Sequence, residues 1–470
     1  MFNNKLKSFF NNYVLNKLPI LAFISLTLLF IINSLLNIGL LGENSLFFDN
    51  MLLDFTCDSE NRHFETFISH FPVILLIVLG FKNINVLLII HGFWLYFSTL
   101  ILFLSSYFLF PSKQKHLFLF VLLSYLLTMH IVAGHITSQT FISIGLYWLI
   151  IIPIIFEDFN IISNKKLLIM IIASFIMIKG YQLDVIFMMM FIIWGFKTFK
   201  KIQNSKKYYI LTFVIVNIFA LCYNIYKYVF PLGNSYYKNK TFVLYNPIQS
   251  DYLFPLIILL LLVAICIYFI IRNTKSKKEN SILFFLFLTI FIYVVALNFI
   301  HSFEYYRMIG YLFAPIFSLI IYIIAKKDLV INIKYLKLFN FILLIAFIIN
   351  MSSVSVQWNK KLNLMFSYLT QKEGFIEVED FYKDNNIDLK TDYFPPFNHL
   401  VSILVQKRHG ISLIKTVFNP IDYSFIVVDN PRIIFPDLTK YGIHYSKKFK
   451  FKYMKELYNV YNNEFLSFLN

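Results

Sequence analysis

LPILAFISLTLLFIINSLLNIGLL, residues 18–41, decides the fold. The run carries no charged side chain, and a helix needs roughly 20 apolar residues to cross the hydrocarbon core of a bilayer. Lys5, Lys7 and Lys17 precede it. It is longer than the apolar part of a secretory signal and lacks a small-residue cleavage site, so it reads as a retained first membrane span.

The rest of the 470 residues follow suit. The chain is 59% hydrophobic and only 14% charged, with mean hydropathy +0.68, which is too apolar for a soluble fold of ordinary composition. Net charge is +17, yet the Lys and Arg residues punctuate apolar runs instead of clustering on one domain. That pattern argues against a nucleic-acid surface and for a topology signal. Cys57, Cys222 and Cys266 form no CxxC pair, so neither a zinc site nor a disulfide framework is indicated.

Spans are expected near 18–41, 84–110, 117–134, 139–156, 167–179, 183–196, 208–230, 252–271, 281–300, 308–325 and 338–351, about eleven in all. The fold class is therefore mainly α, a polytopic helical bundle. Alternating the sides collects Lys113 and Lys115, Lys165 and Lys166, Lys197 to Lys207, Arg272 to Lys278, and Lys326 to Lys337 in one set of loops. Cations of short loops stay cytoplasmic, so the expectation is an N-terminus inside, a C-terminus outside and a bacterial cytoplasmic (inner) membrane location.

This topology places the first loop, 42–66, outside. Between Glu43 and Glu65 it holds Glu43, Asp49, Asp54, Asp58, Glu60 and Glu65 against one permanent cation, Arg62, with His63 adjacent. Next comes 67–80, whose apolar core is about half the length needed to cross; it is expected to lie along the outer interface, with Pro72 suiting a helix start and Gly80 a helix end. The transmembrane domain is expected over 1–351. Residues 352–470 carry 12 of the 25 acidic residues and no candidate span. They read as a small extracytoplasmic α/β domain, with 355–370 extending the last helix and 423–429 forming a strand before the turn Asn430-Pro431.

Asp58, with Asp54 and Glu60 next in line, can supply a general base or hold a divalent cation such as Mg or Mn. Arg62 can grip a phosphate bidentately. A carboxylate beside such a grip is what transfer from a polyprenyl-phosphate sugar requires: the base takes a proton from the acceptor hydroxyl while the cation stabilises the departing phosphate.

Other polar groups gather at outer loop ends. His130, His135 and Gln139 flank the third and fourth spans at a spacing unlike a helical metal pair, and fit a polar cavity or head groups. Lys179, Tyr181, Gln182 and Asp184 can line the same cavity; a carboxylate so near an apolar run is costly unless paired or wetted. His301, Glu304, Tyr305, Tyr306 and Arg307 form another cluster, in which Arg307 is either a second phosphate partner or an interfacial anchor. Asn234, Tyr236, Tyr237, Lys238 and Lys240 form a longer outer loop able to contact sugar or lipid phosphate. No Walker loop, GxGxxG, HExxH or GxSxG pattern occurs, which points to an activated substrate or an ion gradient as the energy source.

The layout resembles the GT-C superfamily of integral membrane glycosyltransferases: an acidic first outer loop, an interfacial helical piece, many further spans and an outer C-terminal domain. Asp58-Ser59-Glu60-Asn61-Arg62-His63-Phe64, then Phe71-Pro72 and Leu79-Gly80, is similar to the first loop of a group of bacterial multi-span membrane proteins. The tail segment Phe394-Pro395-Pro396-Phe397-Asn398-His399-Leu400-Val401-Ser402-Ile403-Leu404 is similar to theirs as well. In GT-C enzymes the first-loop acidic residue is the usual catalytic base; this carries over to Asp54 or Asp58 without deciding between them, and implies an enzyme class but no substrate.

The expectation is thus a membrane glycosyltransferase that contacts membrane lipid, takes a polyprenyl-phosphate-linked sugar and modifies a glycan or lipid acceptor outside, with no role for nucleic acid. Its substrate- or phosphate-binding candidates are Arg62, His63, Arg307, Glu304, His135 and Asp184. The rivals are a polymerase or ligase of lipid-linked oligosaccharides, leaning on Arg307, and a lipid or polysaccharide transporter, a class that tends to show paired repeats and helices broken at the midplane.

Overall fold

In the computed structural model, described over residues 17–41, 48, 51, 63–81, 83–131, 138–179, 184–202, 205–229, 303–326, 333–370, 375–377 and 412–414, the apolar runs become helices. These are α1 (Leu18–Leu35), α2 (His63–Val78), α3 (Ile84–Tyr107), α4 (Phe118–Ile131), α5 (Ser138–Phe156), α6 (Asn164–Ile176), α7 (Asp184–Phe199), α8 (Lys206–Val229), α9 (Phe303–Lys326) and α10 (Ile333–Thr370). Among the described residues four segments are long and apolar enough to cross a membrane: Leu18–Leu35, Asn85–Tyr107, Lys206–Tyr226 and Leu336–Leu364. The expected spans 252–271 and 281–300 lie outside the described residues, as does the strand expected at 423–429. Two short strands, β1 (Phe375–Glu377) and β2 (Ser412–Ile414), pair in parallel with Phe375 opposite Ser412.

The helices expose what a water-soluble protein would hide. On α1, Leu18, Ala22, Leu26, Leu29 and Phe30 are buried while Ile20, Ile24, Leu28, Ile31 and Leu35 are exposed; both faces of the 3.6-residue repeat are apolar. On α8, Leu211, Ile215, Ile218, Phe219 and Ile225 are exposed in the same way. Contiguous apolar stripes of this length are rare on soluble monomers and fit contact with lipid chains.

The chain divides into two units: Met1–Leu29, Phe97–Ala133 and Ser138–Met351 form the first, and Phe30–Tyr96, Gly134–Thr137 and Ser352–Asn470 the second. In the first unit α4 and α5 are the core. Every side chain from Leu117 to Met129 and from Phe141 to Pro153 is buried, as expected for helices that are hydrophobic all round. Helix α9 packs on α4 and α5, α6 on α5, and α8 on α6 and α7. The contacts are aromatic, with Phe120 and Phe317 centroids 6.1 Å apart and Tyr147 and Phe187 4.3 Å apart. They are also polar: Asn217 Nδ2 donates to Ser174 Oγ at 3.1 Å, and Tyr147 and Ser318 share a hydroxyl hydrogen bond of 2.6 Å. Buried interhelical bonds of this kind substitute for water inside a bilayer. Helix α6 starts where the Ser163 hydroxyl caps the Lys166 N–H, a side-chain substitute for the missing helical acceptor.

In the second unit, α2 begins at His63 and ends at Val78, so Pro72 is not its start but an interior residue. Gly80 does end the helix, as expected. Gly80 adopts φ 81°, its N–H donates to Ile77 O and the Phe81 N–H to Leu76 O, both at 2.9 Å; this is the paired closure of a Schellman turn, and glycine reaches that backbone region without a Cβ penalty. Helix α10 continues without a break through Met351 to Thr370, the extension expected for 355–370.

Candidate functional site

The segment that carries the proposed chemistry departs from α1 and returns at α2, so its geometry starts with how those two ends are held. Beyond α1, Asn37 takes a left-handed backbone (φ 58°) and leads into a 3-10 turn, Ile38–Leu40. The turn lies directly against α3. A Cβ on Gly39 would meet the Gly92 backbone and His91 Cδ2 at 3.1 Å, and one on Gly92 would meet the Gly39 nitrogen at 3.2 Å. Both contacts are tighter than an ordinary Cβ approach, so a side chain at either position would have to push the backbones apart by a few tenths of an ångström. The turn is tied from α10 as well: Trp358 Nε1 donates to the Asn37 carbonyl at 3.0 Å.

Below the turn is a buried histidine pair. His70 on α2 and His91 on α3 are both fully buried, with ring centroids 5.3 Å apart. Ser69 Oγ and His70 Nδ1 are hydrogen-bonded at 2.8 Å. Phe48, from the first loop, lies 5.2 Å from His91 between ring centroids and is itself buried, as is Met51. Trp94 Nε1 donates to the Ile68 carbonyl at 2.8 Å, joining α3 to α2. Opposite these contacts α2 exposes Phe67, Phe71, Leu75 and Val78, a stripe at helical spacing.

Asp54, Asp58, Glu60, Arg62 and His135 lie outside the described residues. His63 is the first residue of α2, and Glu304 and Arg307 fall in the opening turns of α9. Asp184 opens α7 and is 0% exposed; its Oδ2 accepts from Ser143 Oγ on α5 at 3.0 Å. The carboxylate sits at a helix N-terminus, whose partial positive charge favours it. Ser143 thus supplies a neutral hydrogen bond to a carboxylate that burial near an apolar run makes costly. Helices α4 and α5 run in opposite directions away from 131 and 138, so the C-terminus of α4, which includes His130, and the start of α5 share one end of the first unit with the Asp184 end of α7. The histidine pair, Trp94 and Trp358 belong to no motif in the sequence; the available signal is two histidines inside otherwise apolar helical runs. Among the described residues no three His, Cys, Asp or Glu side chains are grouped as a metal site would require.

Fold and site together define a mainly helical protein whose apolar helices suit lipid contact and in which Phe48 and the buried histidines of α2 and α3 pack together. No family model, curated protein or solved structure matches this chain.

Proposed function

We propose that the chain is a polytopic glycosyltransferase of GT-C type that transfers a sugar from a polyprenyl-phosphate donor to a surface glycan or lipid on the extracytoplasmic side of a bacterial inner membrane. Asp58 is the base, with Asp54 and Glu60 next in line, and Arg62 holds the phosphate. The observation that supports this reading most is the fastening of both ends of the acidic loop in the second unit: the Gly39–Gly92 contact and Trp358 at one end, and α2 with its exposed apolar stripe at the other. A base can accelerate transfer only if its position relative to the acceptor is fixed, and a helix with one apolar face and no net span length suits the interfacial plane where a lipid-linked sugar presents its head group.

The test is transfer of radiolabelled sugar from a polyprenyl-phosphate donor by membranes containing the chain. Asp58→Asn lowers transfer by about 10²-fold or more, the range for loss of a general base. Wild-type product formation by both Asp58→Asn and Asp54→Asn would remove the loop from the chemistry.

A second reading rests on Asp184. Buried carboxylates within apolar helices mark ion and proton paths, and the Ser143–Asp184 bond supports a gradient-driven lipid or polysaccharide transporter. In that case Asp184→Asn abolishes gradient-dependent movement of substrate, whereas a transferase needs no gradient.

A further inference from the structure

The lysine-bearing connections of the first unit converge on one end. Phe110, after α3, meets Phe156 at the end of α5 with centroids 5.4 Å apart. Lys206, at the start of α8, donates to the Asn160 carbonyl between α5 and α6 at 3.0 Å. His116, before α4, lies within the electrostatic reach of Lys337 on α10. Helix α9 brings its C-terminal half against the start of α4 through Phe317 and Phe120, which carries Lys326 to the same end.

Twelve lysines of the described residues fall on these connections between 113 and 337, against two carboxylates, Glu157 and Asp158. Glu157 pairs with Lys166, and Asp158 accepts from the Asn160 backbone N–H at 3.0 Å and its side-chain amide at 3.2 Å. Among the described residues, lysines therefore outnumber carboxylates on this face.

The lysines also sit at the boundary between polar loop and apolar helix. Lys115 lies 4.9 Å from the Tyr107 centroid, Lys207 4.6 Å from Phe199 and Lys326 5.4 Å from Tyr322. Leu211, one turn along α8 from Lys207, is exposed, as are Leu168 beside Lys165 on α6 and Ile342 five residues beyond Lys337 on α10. A cation beside an aromatic ring with bare aliphatic surface next to it matches a phospholipid, with its anionic head on the lysine and its chains along the helix. An acidic protein would match the charge but leave the adjoining apolar stripes uncovered.

We propose that this end of the first unit is a binding surface for anionic phospholipid head groups. The surface is independent of the first loop and stands whether or not the transferase reading does.

The test uses the full chain in neutral detergent with fluorescent phosphatidylglycerol in mixed micelles, and phosphatidylcholine as the uncharged control. Phosphatidylglycerol binds in preference, and more weakly as salt is raised. The variant Lys165→Gln/Lys201→Gln/Lys207→Gln loses about fivefold in affinity per lysine, the effect of roughly one basic residue near an anionic surface, with an unchanged melting temperature. Lys360→Gln, in the second unit, changes nothing. Equal binding of the two lipids, or an unaltered triple variant, would overturn the proposal. So would binding of polyglutamate without binding of phosphatidylglycerol, which would make the partner an acidic protein.

Discussion

The indole N–H of Trp94 takes the place of the backbone N–H that Pro72 lacks. In an unbroken helix the residue at 72 would donate to the carbonyl at 68; proline cannot, and Trp94 Nε1 reaches the Ile68 carbonyl at 2.8 Å instead. The bond repairs α2 and fastens it to α3 at the level of the histidine pair.

Removing the donor exposes the dependence. Trp94→Phe leaves the Ile68 carbonyl without that partner and destabilises the second unit by about 1–3 kcal/mol, measured as a lower melting temperature in detergent. Adding Pro72→Ala to that variant restores the backbone donor and recovers a large part of the loss. If the two changes were simply additive, the pairing of Trp94 with the proline gap would be excluded.

The turn leading into the first loop has an equally local requirement. Gly92→Ala brings a Cβ to 3.2 Å from the Gly39 nitrogen, where the obstacle is backbone and cannot rotate away. The cost is about 1–3 kcal/mol, the range for overpacking. Trp358→Phe removes the bond to Asn37 from the other side. Both variants raise the rate at which protease cuts the first loop in the full-length protein; unchanged cleavage would show that the loop is held elsewhere.

Much of this arrangement is written in the sequence, though unevenly. Among the described residues the apolar runs mark nine helices that lie where spans are expected, because helix burial in lipid and in protein uses the same side chains. The interior position of Pro72 is not legible, since its repair depends on a tryptophan 22 residues further along the chain. The pairing of Ser143 with Asp184 depends on two helices meeting across 41 residues of sequence, and no spacing rule connects them. The strands at 375–377 and 412–414 are too short to show an alternating pattern. His70 and His91 are hidden by context, because single histidines in apolar runs look the same whether they face lipid loops or each other.

Asp184 separates shape from charge. Asn at 184 keeps an oxygen that accepts from Ser143, so Asp184→Asn folds; Asp184→Leu strands the buried Ser143 hydroxyl from this acceptor and costs about 1–3 kcal/mol. Thermal unfolding of the two variants distinguishes them. Equal melting temperatures would mean that the Ser143 bond contributes nothing.

His116 gives the first unit a pH dependence. Burial lowers its pKa from the ordinary 6.5, and the charge of Lys337 lowers it further, against a hydrogen bond with the Lys113 backbone that raises it. The unfolded chain therefore binds the proton more readily than the folded one, so the contribution is fully present above pH 6.5 and is lost as pH falls from there through the lowered folded value. His116→Gln flattens that part of the melting-temperature profile, and Lys337→Gln moves the histidine titration, followed by NMR, back towards 6.5. A titration that does not move would remove Lys337 from the cause.

Transfer at the outer face requires the acidic loop to face out of the cell, and Cys57 within that loop reports this. With Cys222→Ser and Cys266→Ser leaving Cys57 alone, a membrane-impermeant maleimide is applied to intact cells and to permeabilised ones. The account predicts equal labelling of Cys57 in both; labelling only after permeabilisation would contradict it.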